Sequence, residues 1–173
     1  MIKEDFWVWG KELILTQESD PFTIKLIQPK NGIEGSLSLQ FHNHKSEYWY
    51  VLSGVGVAQF IIEDEILTVR ATRGKIFSIK PKLIHRLGSI QELTVFEVSS
   101  IDKHAFDKTQ PKDVVRLHCF HGRETAGANF NYTVLAKSVD LFLRALDKNF
   151  PEEDFVLRRL TELGIYLGEK AFI

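Results

Sequence analysis

Apolar and polar positions alternate in short runs along most of the chain. "FTIKLI" (22–27), "SLSLQFH" (36–42), "EYWYVL" (47–52), "VGVAQFII" (55–62), "EILTVR" (65–70), "KIFSIK" (75–80) and "ELTVFEV" (92–98) are rich in β-formers, and turn-forming segments such as "PKNG", "TRG" and "PKL" separate them. A period of two is that of a strand with one buried face, and many short strands at such spacing predict a sandwich or small barrel. Gly54 and Gly56 predict a tight reversal between two of the runs, since positive φ is cheap only for glycine. Pro81 ends a strand and opens a loop that leads to His85, and the polar segment "SIDKHAFDKTQPK" (100–112) reads as a loop.

From about Ser138 the period changes. "SVDLFLRALDKNF" carries apolar residues at 139, 142, 143 and 146, the spacing of an amphipathic helix. "PEEDFVLRRLTELG" then opens with Pro151 and two acids, carries apolar residues at 156, 160 and 163, and closes on Gly164, which predicts a second helix. The expected layout is a mainly β domain over residues 1–135 and a helical hairpin over 136–173. The stripe Phe142, Leu143, Leu146, Val156, Leu160 and Leu163 serves packing, on the β domain or on a second subunit.

Composition narrows the function classes. The chain has 173 residues, a soft prior for one domain with an appendage, and 44% hydrophobic content, enough for a packed core. With 22 basic and 23 acidic residues the net charge is −1, which argues against a nucleic-acid surface and against electrostatic membrane docking. The one cysteine, Cys119, allows no internal disulfide and reads as a small half-buried residue. "MIKEDFWVWG" has no long apolar run before a small-residue cleavage site, so no signal peptide is read and the cytoplasm is the expected location.

The stretch that points to chemistry is "SLQFHNHKSEYWYVLSG" (38–54). Strand alternation puts Gln40, His42 and His44 on one face, with Phe41 and Asn43 on the other. Two histidines at i, i+2, a carboxylate just past the turn and a histidine from a later strand can together hold a divalent transition metal and leave positions open for water or substrate. The candidate ligands are therefore His42, His44, Glu47 and His85, with Gln40 as a fifth. Tyr48 and Tyr50 alternate with Trp49; sheet packing accounts for them, with sugar stacking by one of them as the alternative.

These residues resemble the two motifs of the cupin superfamily: His42-x-His44-x-x-Glu47 with Gly54, then Gly74, Pro81 and His85. The resemblance is closer to one branch, the type II phosphomannose isomerases. "SLQFHNHKSEYWYVLSGVGV" is similar to that family's signature. "IHRL" (84–87), "FEVSS" (96–100), "DVVRL" (113–117) and "GR" (122–123) follow in its order, and "WVWGKELIL" (7–15) resembles its opening segment. Where the family tends to have an Asp and a Tyr before Gly-Arg, this chain has Cys119 and His121.

The resemblance implies a double-stranded β-helix, or jelly-roll, barrel with a metal at its mouth, held by Gln40, His42, Glu47 and His85 with His44 beside them. Zinc is the first expectation for the ion, with manganese, iron, nickel or cobalt after it. It also implies aldose–ketose isomerisation of a sugar phosphate such as mannose 6-phosphate. A base must then move a proton between C1 and C2, for which Glu97 and His44 are candidates. Arg86 and Arg116 suit the phosphate, Arg86 also acting in catalysis, and Lys80 and Lys45 are weaker choices. A homodimer is the expected assembly. Two alternatives stay open: a non-catalytic cupin that binds a sugar or nucleotide sugar, and a different metal-cupin enzyme such as an Fe(II) dioxygenase.

Overall fold

Two long strands organise the molecule. The computed structural model describes residues 2–123, 125 and 130–170. Ten strands form one sheet among them: β1 (Lys3–Trp7), β2 (Gly10–Ile14), β3 (Phe22–Pro29), β4 (Leu39–His42), β5 (Glu47–Ile62), β6 (Glu65–Thr72), β7 (Lys75–Ile79), β8 (Ile84–Ser100), β9 (Val114–His118) and β10 (Tyr166–Glu169). A helical turn, α1 (Lys103–Phe106), lies between β8 and β9, and two helices, α2 (Tyr132–Leu146) and α3 (Glu153–Glu162), lie between β9 and β10. No described helix is long and apolar enough to cross a membrane.

β5 and β8 pair antiparallel along nearly their whole lengths. Along its other edge β5 meets β7 over Glu47–Tyr50 and β6 over Val55–Ile62. β8 meets β3 near its end and β4 near its start, through His85 and Gln40. Changing partners along each strand rolls the sheet over on itself. All pairs named here are antiparallel, which is the jelly-roll arrangement predicted from the short alternating runs.

The expected reversal at Gly54–Gly56 is not there. The chain passes through these glycines as one strand whose register against β8 shifts between Val51 and Ser53, Ser53 and Val55, and Val55 and Gly56. A Cβ on Gly54 (φ 78°) would lie 2.3 Å from the Glu92 carbonyl, and one on Gly56 would lie 2.5 Å from that of Gly88. The glycines thus permit a bulged bend against a closely approaching strand. "IHRL" and "ELTVFEV" likewise merge into the single strand β8.

Burial along β5 explains its composition. Its first half alternates, with Trp49 and Val51 buried and Tyr48 and Leu52 exposed. From Val57 to Ile61 every residue is buried. Ala58 and Phe60 face the main core with Trp49, Phe77 and Leu87, while Val57 packs on Phe142 and Ala145 of α2, and Ile61 on Leu39 and Val134. Helix α2 therefore covers the outer face of the sheet. Gln59, fully buried, donates to the Ser138 carbonyl on α2 (2.9 Å) and to Thr68 (3.0 Å).

The helix starts at Tyr132, earlier than the apolar pattern from Ser138 indicates, because Asn131 caps the Thr133 and Val134 amides. Gly164, at φ 67°, ends α3 and turns the chain into β10. That strand, not foreseen from the sequence, pairs with β7. β1 and β2 were also unassigned in the sequence; they extend the sheet beyond β3.

Phe142 is 0% exposed and stacks 6.3 Å from Phe120. Phe142→Ala is expected to cost about 3–5 kcal/mol of stability in urea unfolding, the usual loss for a core ring. A loss below about 1 kcal/mol would mean that α2 contributes little to the fold.

Candidate metal centre

The site is built where β4 ends, β5 begins and β8 starts. Strand pairing stops at His42, so the alternation that would carry His44 inward stops too. Residues 43–46 form a bend held by Asp113, whose carboxylate accepts from the amides of Asn43 (3.2 Å), His44 (3.0 Å) and Lys45 (2.8 Å). Burial alone would raise that carboxyl; the Lys45 and His44 amides bring it below the usual range. His44 is left exposed and Lys45 is turned inward, 8% exposed.

His42, Glu47 and His85, all buried, converge: one ligand atom from each lies within 4.8 Å of the other two. His42 Nε2 is 3.0 Å from Glu47 Oε1, and His85 Nε2 is 3.8 Å from Oε2. The imidazoles stack with centroids 5.5 Å apart, and Trp49 meets His85 edge-on at 5.4 Å. His85 Nδ1 donates to the Leu83 carbonyl (2.9 Å), so in the neutral ring the lone pair is on Nε2, facing the cluster. Burial first, and the nearby His42 and Lys45, push His85 down to about 4 against the pull of Glu47, which keeps it neutral at physiological pH.

Lys45 joins two carboxylates. Its ammonium is 2.6 Å from Glu47 Oε1 and 3.6 Å from Glu97 Oε1. Burial would raise Glu47, but Lys45, then His42 and His85, hold it well below the carboxylate range. Glu97 goes the other way: burial and the negative charge of Glu47 raise it, more than Lys45 and Lys25 lower it. Behind them Lys25 lies 3.0 Å from Asp102 and 3.8 Å from Glu12, extending the alternation of buried charges toward β2. These residues open into a cavity of about 740 Å³ that Gln40, Trp7, Trp9, Arg116 and Arg123 also line.

The donor set fits a metal ion. His42 Nδ1 and His85 Nε2 are buried without a hydrogen-bond partner, and His42 Nε2 faces the Glu47 carboxylate. Buried polar atoms are rarely left so without a role. Two imidazoles and one carboxylate are the donors that borderline divalent ions take. Gln40, half-buried and opposite His85 in the sheet, stands beside them.

Of the other expected site residues, His44, Arg86 and Arg116 line the cavity and Lys80 does not, but their side chains go different ways. Strand alternation sends His85 inward and Arg86 outward, beneath α2. There the fully buried guanidinium lies between Phe120 (5.0 Å) and Phe142 (4.8 Å), with Nη2 3.0 Å from His118 Nδ1. Burial pushes Arg86 down to about 9, which leaves it charged at neutral pH. Lys80 is exposed at the end of β7 and does not line the cavity. Arg116 on β9 stands opposite Gln40. Tyr48 is exposed and Tyr50 half-buried, away from Trp49, which faces the cavity. Sequence reasoning missed the inward turn of Lys45 and the partners Glu12, Lys25 and Asp102; the alternation of "FTIKLI" in β3 marks Lys25 only as a polar residue between apolar ones.

A rolled antiparallel sheet with two histidines and a glutamate at its mouth defines a cupin. More closely, the chain belongs to the family described as Mannose-6-phosphate isomerase C-terminal, which it matches over residues 1–118. No curated protein matches the chain. Among solved structures it is similar to the capsular polysaccharide assembling protein CapF of Staphylococcus aureus (TM-score 0.57, 20% identity, 68% of this chain and 32% of that one). It is also similar to a point mutant of the oxalate decarboxylase OxdC of Bacillus subtilis (TM-score 0.54, 16% identity, 67% and 30%). A third similar structure is a variant of Streptomyces PAC13 with uridine (TM-score 0.52, 15% identity, 68% and 85%). The aligned part thus spans about a third of CapF and of the decarboxylase. At these identities the likeness is one of fold.

Titration calorimetry with a divalent ion is expected to give one site per chain in the wild type and in His44→Ala, and none in His42→Ala or His85→Ala. Binding that survives loss of either inward imidazole would place the ion elsewhere.

Proposed function

We propose that the protein is a metal-dependent aldose–ketose isomerase acting on a sugar phosphate, mannose 6-phosphate or a relative. The observation that carries this is the pair of buried carboxylates pushed in opposite directions, Glu47 toward the ionised form and Glu97 toward the protonated one. Such divergence separates the duties of two acids in one site. Glu47, with His42, His85 and Gln40, would hold a divalent ion, zinc first, with manganese, iron, nickel or cobalt as alternatives. When bound, the ion supplies Lewis-acid polarisation of a carbonyl and its neighbouring hydroxyl. Glu97 takes the proton from one carbon and returns it to the other. A raised affinity for protons suits that shuttle, because a base works best near the operating pH. Lys45 stays between the carboxylates and keeps their summed charge tolerable in a dry site.

A second reading is favoured by the cavity itself. Its 740 Å³ lies within the range that encloses ligands well above monosaccharide size, which suits a nucleotide-sugar-binding cupin without turnover. We further propose a cytoplasmic homodimer. Ile2, Phe6 and Val8, exposed on and beside the edge strand β1, support the pairing, and a lone cysteine suits a reducing compartment.

A coupled assay with mannose 6-phosphate on metal-loaded protein is expected to show turnover that chelator abolishes. Glu97→Gln should lower kcat by about 10²–10⁴-fold at unchanged metal content. Ligand-dependent thermal stabilisation with no turnover would select the binding module instead.

A further inference from the structure

Two arginines on the cavity wall have no part in the metal cluster. Arg116 of β9 is opposite Gln40 of β4, and Gln40 is opposite His85 of β8. Residues directly opposite one another share a face. His85, Gln40 and Arg116 therefore make one row across three strands, with Arg116 about 10 Å from His85 at the backbone, two interstrand spacings. Arg123 reaches the same wall: Nη2 donates to Ser38 Oγ (2.8 Å) and Nε to Cys119 Sγ (3.2 Å).

Both guanidiniums retain unused donors. Arg116 Nε is buried with no hydrogen-bond partner. Neither arginine forms an ion pair with a carboxylate among the described residues. They are also near enough to repel: after burial, the charge of Arg123 is what lowers Arg116. Like charges held together, with an orphaned donor and no carboxylate paired to either among the described residues, suit an anion, and guanidinium forks match the oxygens of a phosphate.

We propose that Arg116 and Arg123 form a phosphate subsite, with Ser38 and Cys119 orienting Arg123. This deepens the isomerase reading and rests on it only for the other end of the ligand. The row places Arg116 one strand from Gln40 and two from His85, so the subsite takes the phosphate of a ligand whose other end lies toward the imidazoles.

Cys119 makes the subsite measurable. It is half-buried and the only cysteine of the chain. Burial alone would raise its thiol, but hydrogen bonds with Ser38 and Arg123 bring it down to about 7. An anion that engages Arg123 weakens that support and adds negative charge beside the sulfur, so both effects lower the thiolate fraction.

The experiment measures iodoacetamide alkylation of Cys119 in metal-free protein at neutral pH, with inorganic phosphate against chloride of equal ionic strength. Phosphate is expected to slow the reaction about tenfold in the wild type and in His42→Ala, as expected for one close cation drawn away. Arg116→Gln should lose the protection and Arg116→Lys should keep part of it. Phosphorus-31 line broadening on the wild type gives the same binding curve without any variant. An alkylation rate indifferent to phosphate in the wild type, or protection undiminished in a folded Arg116→Gln, overturns the subsite. Protection without isomerase turnover would leave the subsite standing and remove the isomerase; turnover without protection would do the reverse.

Discussion

A negative charge buried at the mouth of the barrel governs the rest of the site. Glu47 is 2% exposed, and a carboxylate so placed is tolerated only with close compensation. Lys45 provides it at 2.6 Å, and the imidazoles of His42 and His85 complete the surroundings. Every element that forms the mouth serves this arrangement. β5 begins at Glu47, β4 ends at His42, the Asp113 carboxylate pins the bend that turns Lys45 inward, and β8 delivers His85 opposite Gln40.

The same charge sets the chemistry of its neighbours. Glu97 shares Lys45 with Glu47, and its burial, then the charge of Glu47, raise it more than Lys45 and Lys25 lower it. His85 stays neutral because it is dry, and burial prevails over the pull of Glu47 and of the Leu83 hydrogen bond. The site thus presents an unprotonated nitrogen ligand in His85, a firmly ionised oxygen ligand in Glu47 and a carboxyl inclined to carry a proton in Glu97. On the far side of the sheet Arg86 shows the contrasting solution for a buried charge: two aromatic faces and a neutral histidine take the place of a counter-ion.

Much of this was legible in the sequence, for physical reasons that also mark the limit. Period-two runs gave the strands, and the switch to a 3.6 period gave the two helices. His42, Glu47 and His85 were readable because their spacing on strand ends matched a ligand set. His44 failed to follow because alternation holds only while the strand lasts, and Asp113, distant in sequence, ends it. The continuity of β5 and β8 was hidden because glycines signal a turn and a bulge alike, and only the approach of the partner strand decides between them. Arg86 and Arg116 look equivalent as cations in the sequence, yet strand parity buries the guanidinium of one between Phe120 and Phe142 and leaves the other half-buried at the cavity. The network of Lys25, Glu12 and Asp102 depends on three separate segments meeting, which local pattern does not encode.

The most direct test is X-ray absorption at the metal edge on zinc-loaded protein. Scattering from two imidazoles together with oxygen donors, at about 2.0–2.2 Å, is the expected result. A shell of oxygens alone, with no imidazole signature, would contradict the claim that His42, Glu47 and His85 share one ion.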